Sequence, residues 1–163
     1  MKKVLDLTEK CIAYLICVLF ATFTGLTIVQ VIFRFVIQIS ISWSDEVVRA
    51  CFIWMIFLGA AIGVRNGMHL ALDLFSGSMS PRVQKIVRII ILILIGGASA
   101  ILLYASYDFV VRNIGISMII LRGVPLNVVY VAIPISAFLM IVYTIERLAL
   151  ELCRKEGQTW TES

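Results

Sequence analysis

A chain of 163 residues that is 61% hydrophobic and only 15% charged, with a mean hydropathy of +1.04, is not a soluble domain, for which about 45–50% apolar and about 25% charged residues are usual. Its length allows several membrane spans of about 20 residues each and leaves almost nothing over for a soluble domain. The net charge of +4 then belongs to membrane topology and anionic head groups, and nucleic acid is excluded as a partner.

Four long apolar runs define one membrane domain over residues 1–163, with transmembrane helices expected at about 11–36, 45–65, 83–111 and 125–147. Each is long enough, at ~1.5 Å of rise per residue, to cross a hydrocarbon core of ~30 Å. The fold class is all-α, because backbone groups in lipid must be bonded within the segment and no alternating barrel strands are visible.

The first run follows Met1-Lys2-Lys3, as a signal peptide would, but Cys11 to Phe33 lacks a small-residue cleavage site and three further runs follow. A retained first span is expected. Thr24, Thr27, Gln30 and Arg34 give it a slightly polar stripe, which either faces another helix or holds threonines bonded back to their own backbone.

The second run carries the distinctive polar residues at its two ends. Ser42 or Ser44 can cap it, and Asp45 and Glu46 suit the positive end of the helix dipole. Both acids lie within helical reach of Arg49, which would be costly to leave unpaired just inside an apolar run. A partly buried cluster of Arg34, Asp45, Glu46 and Arg49 is therefore expected. Trp43 reads as an interface anchor and Trp54 as a packing or lipid-facing aromatic. Gly59 and Gly63 form a G-x-x-x-G pattern that permits close helix packing, inside this chain or against a partner. Arg65, His69 and Asp73 stand at i, i+4 and i+8. They align if the helix continues beyond Gly67, either as interface charges or as a network holding the following turn.

Residues 69–75 are apolar enough to lie in the interface, and Ser80-Pro81 starts the third helix, with Arg82, Lys85 and Arg88 among head groups. That helix holds a small-residue patch, Gly96 to Ala100, and an Asp108/Arg112 pair at i, i+4 near Tyr104 and Tyr107. The connection Ile114 to Leu121 is apolar, which suggests that the interface or a partner covers it. The fourth helix begins near Val124-Pro125, contains Pro134 and ends at Glu146-Arg147. A cytoplasmic amino terminus places ten of the 14 basic residues on the cytoplasmic side, so both termini are expected there.

The centres of the four runs, residues 11–33, 50–64, 89–107 and 124–145, contain no Asp, Glu, Lys, Arg or His. Ion-coupled transporters commonly hold the ion near the midplane with such groups or with broken helices. No nucleophile stands at workable spacing from a base, and there is no H-E-x-x-H and no phosphate loop. One histidine cannot supply bis-histidine haem, and Cys11, Cys17, Cys51 and Cys153 show neither C-x-x-C nor metal-ligand spacing. Neither an enzyme nor a cofactor, metal, catalytic or substrate-binding residue is expected. What remains is a membrane scaffold or interaction subunit, the alternative being an independent small transporter or channel working as an oligomer.

Arg34-Phe35, Trp43-Ser44-Asp45-Glu46, Arg49, Trp54, Phe57-Leu58-Gly59-Ala60-Ala61, Arg65, His69 and Asp73, followed by Pro125, Tyr130 and Ile133-Pro134, resemble the small membrane subunit of tripartite ATP-independent periplasmic (TRAP) transporters, the DctQ-like family. The likeness runs from about Val31 to Glu146. It implies a multi-pass protein of the bacterial inner membrane that works with a large DctM-like membrane subunit and a periplasmic substrate-binding protein. The implied system imports an organic acid with sodium, such as a C4-dicarboxylate, sialic acid or a similar carboxylate. In that family the small subunit is a static scaffold that widens and anchors the large one. The structural or subunit-interface candidates are then Arg34, Trp43, Asp45, Glu46, Arg49, Gly59, Gly63, Arg65, His69 and Asp73.

Overall fold

A computed structural model describes residues 2–39, 41–67, 81–121 and 123–153. Helix α1 covers Lys2–Ile32 and runs into a π-helical turn, Phe33–Ile37; α2 covers Ser42–Asn66, α3 Pro81–Arg112, α4 the four residues Asn127–Tyr130, and α5 Ala132–Cys153. Leu5–Ile37, Ser42–Asn66, Arg82–Arg112 and Asn127–Leu152 are each long and apolar enough to cross a bilayer. The four expected spans are present, but α1 starts well before residue 11 and α5 ends beyond residue 147. The apolar run marks the thickness of the hydrocarbon, whereas the helix continues through charged turns on either side of it.

Local chemistry sets several of the boundaries. Helix α2 starts without a side-chain cap: Ile41 occupies the capping position, and Ser44 Oγ donates back to the Ile41 carbonyl at 2.7 Å. Neither Ser42 nor Ser44 therefore fills the expected capping role. The helix ends where Gly67 adopts a left-handed conformation (φ 69°) and its N–H reaches the Gly63 and Val64 carbonyls, a stop that glycine makes without steric cost. Between α4 and α5, Pro134 has no N–H to offer the carbonyl of Tyr130 four residues earlier. The chain bridges this break through Val131, whose N–H bonds to Asn127 at 2.8 Å and whose carbonyl accepts from Ile135 at 3.3 Å.

The helices pack in the order α1, α2, α5, α3: α1 lies against α2, α2 against α5 and α5 against α3, while neither α1 nor α2 forms a packed interface with α3. This is an open row, not a closed four-helix bundle. Its seam is lined by small residues, with Ala61, Ala132, Ser136 and Ala137 fully buried, which lets backbones approach where apolar burial alone gives no driving force in lipid. A Cβ added at Gly96 would sit 3.4 Å from the Thr144 methyl group, so this glycine of the small-residue patch of α3 is used against α5, while Gly97, Ala98 and Ala100 are exposed. The core proper is Ala61, Val64 and Tyr143, with Leu5, Ile95, Leu139 and Met140 packed around them. Both broad faces of the row present large apolar side chains, among them Tyr14, Phe20, Ile101 and Phe138.

Candidate functional site

The polar chemistry is divided between the two ends of the row. At the end where α1 and α3 begin and α2 and α5 finish, the Arg65 side chain, only 10% exposed, gathers groups from two other helices, α1 and α5. Its guanidinium pairs with Asp6, lies 2.5 Å from Glu9 Oε2, donates to the Leu5 carbonyl at 2.6 Å and lies 3.5 Å from Glu146 Oε2. Its central carbon stands 5.4 Å from the centroid of the Tyr143 ring. A planar fork of five donors suits such a set of acceptors, and the ring face adds cation–π attraction. Arg147 completes the arrangement by donating to the backbone carbonyl of Arg65 at 2.5 Å, one of the carbonyls that a helix end leaves without an intrahelical partner. Arg88 and Glu151, 3.3 Å apart, tie α3 to α5 at the same end. Burying these charges is costly, and only mutual pairing makes the arrangement tolerable. Asp6, Glu9 and Glu146 share Arg65 and Glu151 pairs with Arg88, an arrangement that fixes helices relative to one another.

At the opposite end the acids of α2 are held by neutral donors. Gln30 of α1 donates to Asp45. Glu46 accepts the backbone N–H groups of Ile120 at 3.1 Å and Leu121 at 2.9 Å. Arg34 and Arg49 are exposed and form no ion pair among the described residues. The expected partly buried cluster of Arg34, Asp45, Glu46 and Arg49 is thus met only in part: the acids find hydrogen-bond partners on α1 and on the α3–α4 connection, while Arg49 acts on Glu46 through its charge alone. The polar stripe of α1 divides in the same way. Thr27 bonds back to the Phe23 carbonyl at 2.7 Å, while Gln30 reaches the neighbouring helix. Asp108 and Arg112 form the expected i, i+4 pair at 2.7 Å.

The remaining candidates are more dispersed. Trp43 is exposed beside the start of α2, whereas Trp54 is not simply a packing residue: its indole N–H donates to the Val128 carbonyl in α4 at 3.1 Å. A Cβ at Gly59 would meet nothing within 4 Å, so this face is open within the chain; Gly63 is half-buried. His69 and Asp73 lie outside the described residues. Helix α2 stops at Asn66 and turns at Gly67, so the described part of the expected Arg65, His69 and Asp73 alignment is Arg65 alone. Arg65 takes its partners from α1 and α5 instead. Asp6, Glu9, Tyr143 and Glu151 are not singled out by the sequence, which places Arg88 among head groups and marks Glu146 as a helix end. The available signal was the complementary sign of charges at span ends that share one membrane face.

Residues 23–154 match the family described as tripartite ATP-independent periplasmic transporters, DctQ component. Two similar proteins bear the name C4-dicarboxylate TRAP transporter small permease protein DctQ. The one from Pseudomonas aeruginosa is 39% identical over 69 residues, covering 42% of this chain and 33% of the relative. The one from Vibrio cholerae is 26% identical over 102 residues, covering 63% and 44%. The sialic acid TRAP transporter permease protein SiaT of Haemophilus influenzae is 23% identical over 125 residues, which is 75% of this chain but 20% of that protein. The matched segments span less than half the length of each of these relatives.

Proposed function

This chain belongs to the DctQ component family of tripartite ATP-independent periplasmic transporters, helical multi-pass proteins of the bacterial inner membrane, and on that premise we propose that it is the scaffold subunit of a sodium-coupled carboxylate importer. In this reading a large permease subunit moves the substrate, a periplasmic protein delivers it, and the present chain enlarges and steadies the membrane footprint of the large subunit. The observation that carries the reading is the open row of helices. It exposes two broad apolar faces, has no ionisable group in the middle of any span, and is clamped at one end by the Arg65 ion pairs. Such a body is stiff and wide but has nothing with which to hold a cation or an acid at the midplane.

The substrate is an organic acid recognised through its carboxylate, the chemistry common to the C4-dicarboxylate and sialic acid named for the relatives. The match to SiaT leaves most of that permease without a counterpart in these 163 residues. The interface candidates on this reading are Arg34, Arg49 and Gly59, whose surroundings are open within the chain. The excess of basic residues at the clamped end supports a cytoplasmic position for both termini. Co-expression with the large permease of the same transport system and purification through a tag on this chain tests the assignment. A stable complex of the two is expected; recovery of this chain only as a self-assembled oligomer, with no large subunit, contradicts it and favours an independent small transporter.

A further inference from the structure

The connection between α3 and α4 is folded in an unusual way for a loop in water. Residues 116–126 double back on themselves: Ser117 and Pro125 pair across the turn, the Met118 N–H bonds to Val124 and the Leu126 N–H to Ile116, each at 2.9 Å, and Val124 donates to Leu121 at 2.9 Å. The N–H groups of Ile120 and Leu121 are taken by the carboxylate of Glu46. The Val128 carbonyl, just beyond the doubled segment, is taken by the Trp54 indole. The side chains do the opposite. Ile119 is 88% exposed, Ile114, Ile116 and Ile120 are exposed as well, and among the larger side chains only Met118 turns inward.

Position along α2 fixes the depth of this segment. Glu46 stands one turn inside the helix that begins at Ser42, and Trp54 stands twelve residues in, about 18 Å along the axis. Side chains lean toward the start of their helix, so the Val128 carbonyl lies roughly 10 Å or more below the first residue of α2 and Ile120 only a few ångströms below it. The doubled segment therefore runs alongside the first turns of a membrane span and not above it. Toward the same end of the row Trp43, Phe35, Tyr104 and Tyr107 are exposed, the residue types expected where acyl chains meet head groups.

We propose that residues 114–121 form a lipid-seated hairpin whose isoleucines lie in the acyl–headgroup boundary of the bilayer. Irregular backbone is tolerated at that depth only when its polar groups are satisfied from within the protein, and here a carboxylate and an indole from α2 supply what water would otherwise supply. In water the same tip would be an exposed apolar patch with an acid committed to amides that solvent could serve. The proposal rests on residence in a bilayer and is tested in the complex of the scaffold reading. Failure to form that complex with the native tip counts against the scaffold reading, whereas a wet or covered tip in the assembled complex counts against this proposal.

Spin labelling in vesicles tests it. The chain, assembled with its large subunit, carries Ile119→Cys in a background where Cys11, Cys17 and Cys153 are replaced; Cys51 is buried and is retained. The complex is placed in equimolar phosphatidylethanolamine and phosphatidylglycerol, and collision with oxygen is compared with collision with a water-soluble nickel chelate. A label at Ile101→Cys, exposed in the middle of α3, is the lipid reference. The expected result is an oxygen-to-nickel ratio at 119 close to that at 101 and several-fold above that of free label in water. A nickel-dominated ratio, meaning a tip in water, overturns the proposal, as does exclusion of both reagents, meaning a tip covered by the large subunit. If I119C does not assemble, Ile120→Cys provides the same comparison.

Discussion

Arg65 concentrates more of the fold's polar energetics than any other described residue. Removing a guanidinium that several carboxylates share leaves those charges unmatched in a partly buried site, and breaking such an arrangement costs about 3–5 kcal/mol. R65M should therefore lower the thermal midpoint of the purified subunit strongly. Asp6, whose side chain is 58% exposed, sits at the wet edge of the same cluster, and D6N should cost under about 1 kcal/mol. Thermal melting in detergent checks the ranking; equal losses from the two substitutions would show that the cluster behaves as a solvated surface. Tyr143 belongs with Arg65 for a different reason: its ring is fully buried and lies against the guanidinium, so the aromatic face matters there beyond its apolar area.

At the scale of elements, two small-residue sites on neighbouring spans have opposite surroundings. Gly96 of α3 faces the Thr144 methyl group at contact distance, whereas Gly59 of α2 faces nothing within 4 Å. G96V should overpack the α3–α5 seam and destabilise the isolated subunit by about 1–3 kcal/mol, while G59V should leave it within about 0.5 kcal/mol. Chemical denaturation in detergent distinguishes them, and equal effects would contradict the packing order. The spans themselves were readable in the sequence, because a run of membrane length is a property of composition and needs no knowledge of partners. The Asp108–Arg112 pair was readable for the same reason, since both members lie on one helix. The partners of Arg65 were not, because Asp6, Glu9 and Glu146 are distant in the chain and come together only when α1, α2 and α5 are side by side. Gly67 was the readable signal for the end of α2, since glycine past the last helical turn is the usual stop. Glu46 shows the same limit: helical spacing pointed to Arg49, whose charge does act on it, but its hydrogen bonds go to backbone N–H groups that come after α3 in the chain.

For the whole molecule the row order α1, α2, α5, α3 governs what the chain can do. It was not legible from composition, since in a membrane protein a lipid-facing surface and a packed surface are equally apolar. A closed bundle would hide its small residues around a central axis and could enclose a polar path. An open row has no interior of that kind and instead presents area to lipid and to a neighbouring subunit. The clamp of charges at one end and the Glu46-held hairpin at the other keep that area stiff. The central claim, that this chain supports transport without performing it, is tested most directly by sodium-driven uptake of a radiolabelled C4-dicarboxylate or sialic acid into proteoliposomes. The vesicles contain this chain alone, or this chain with its large permease and binding protein. The account predicts no uptake by the chain alone and uptake with the complete set; robust sodium-driven accumulation by the chain alone would contradict it.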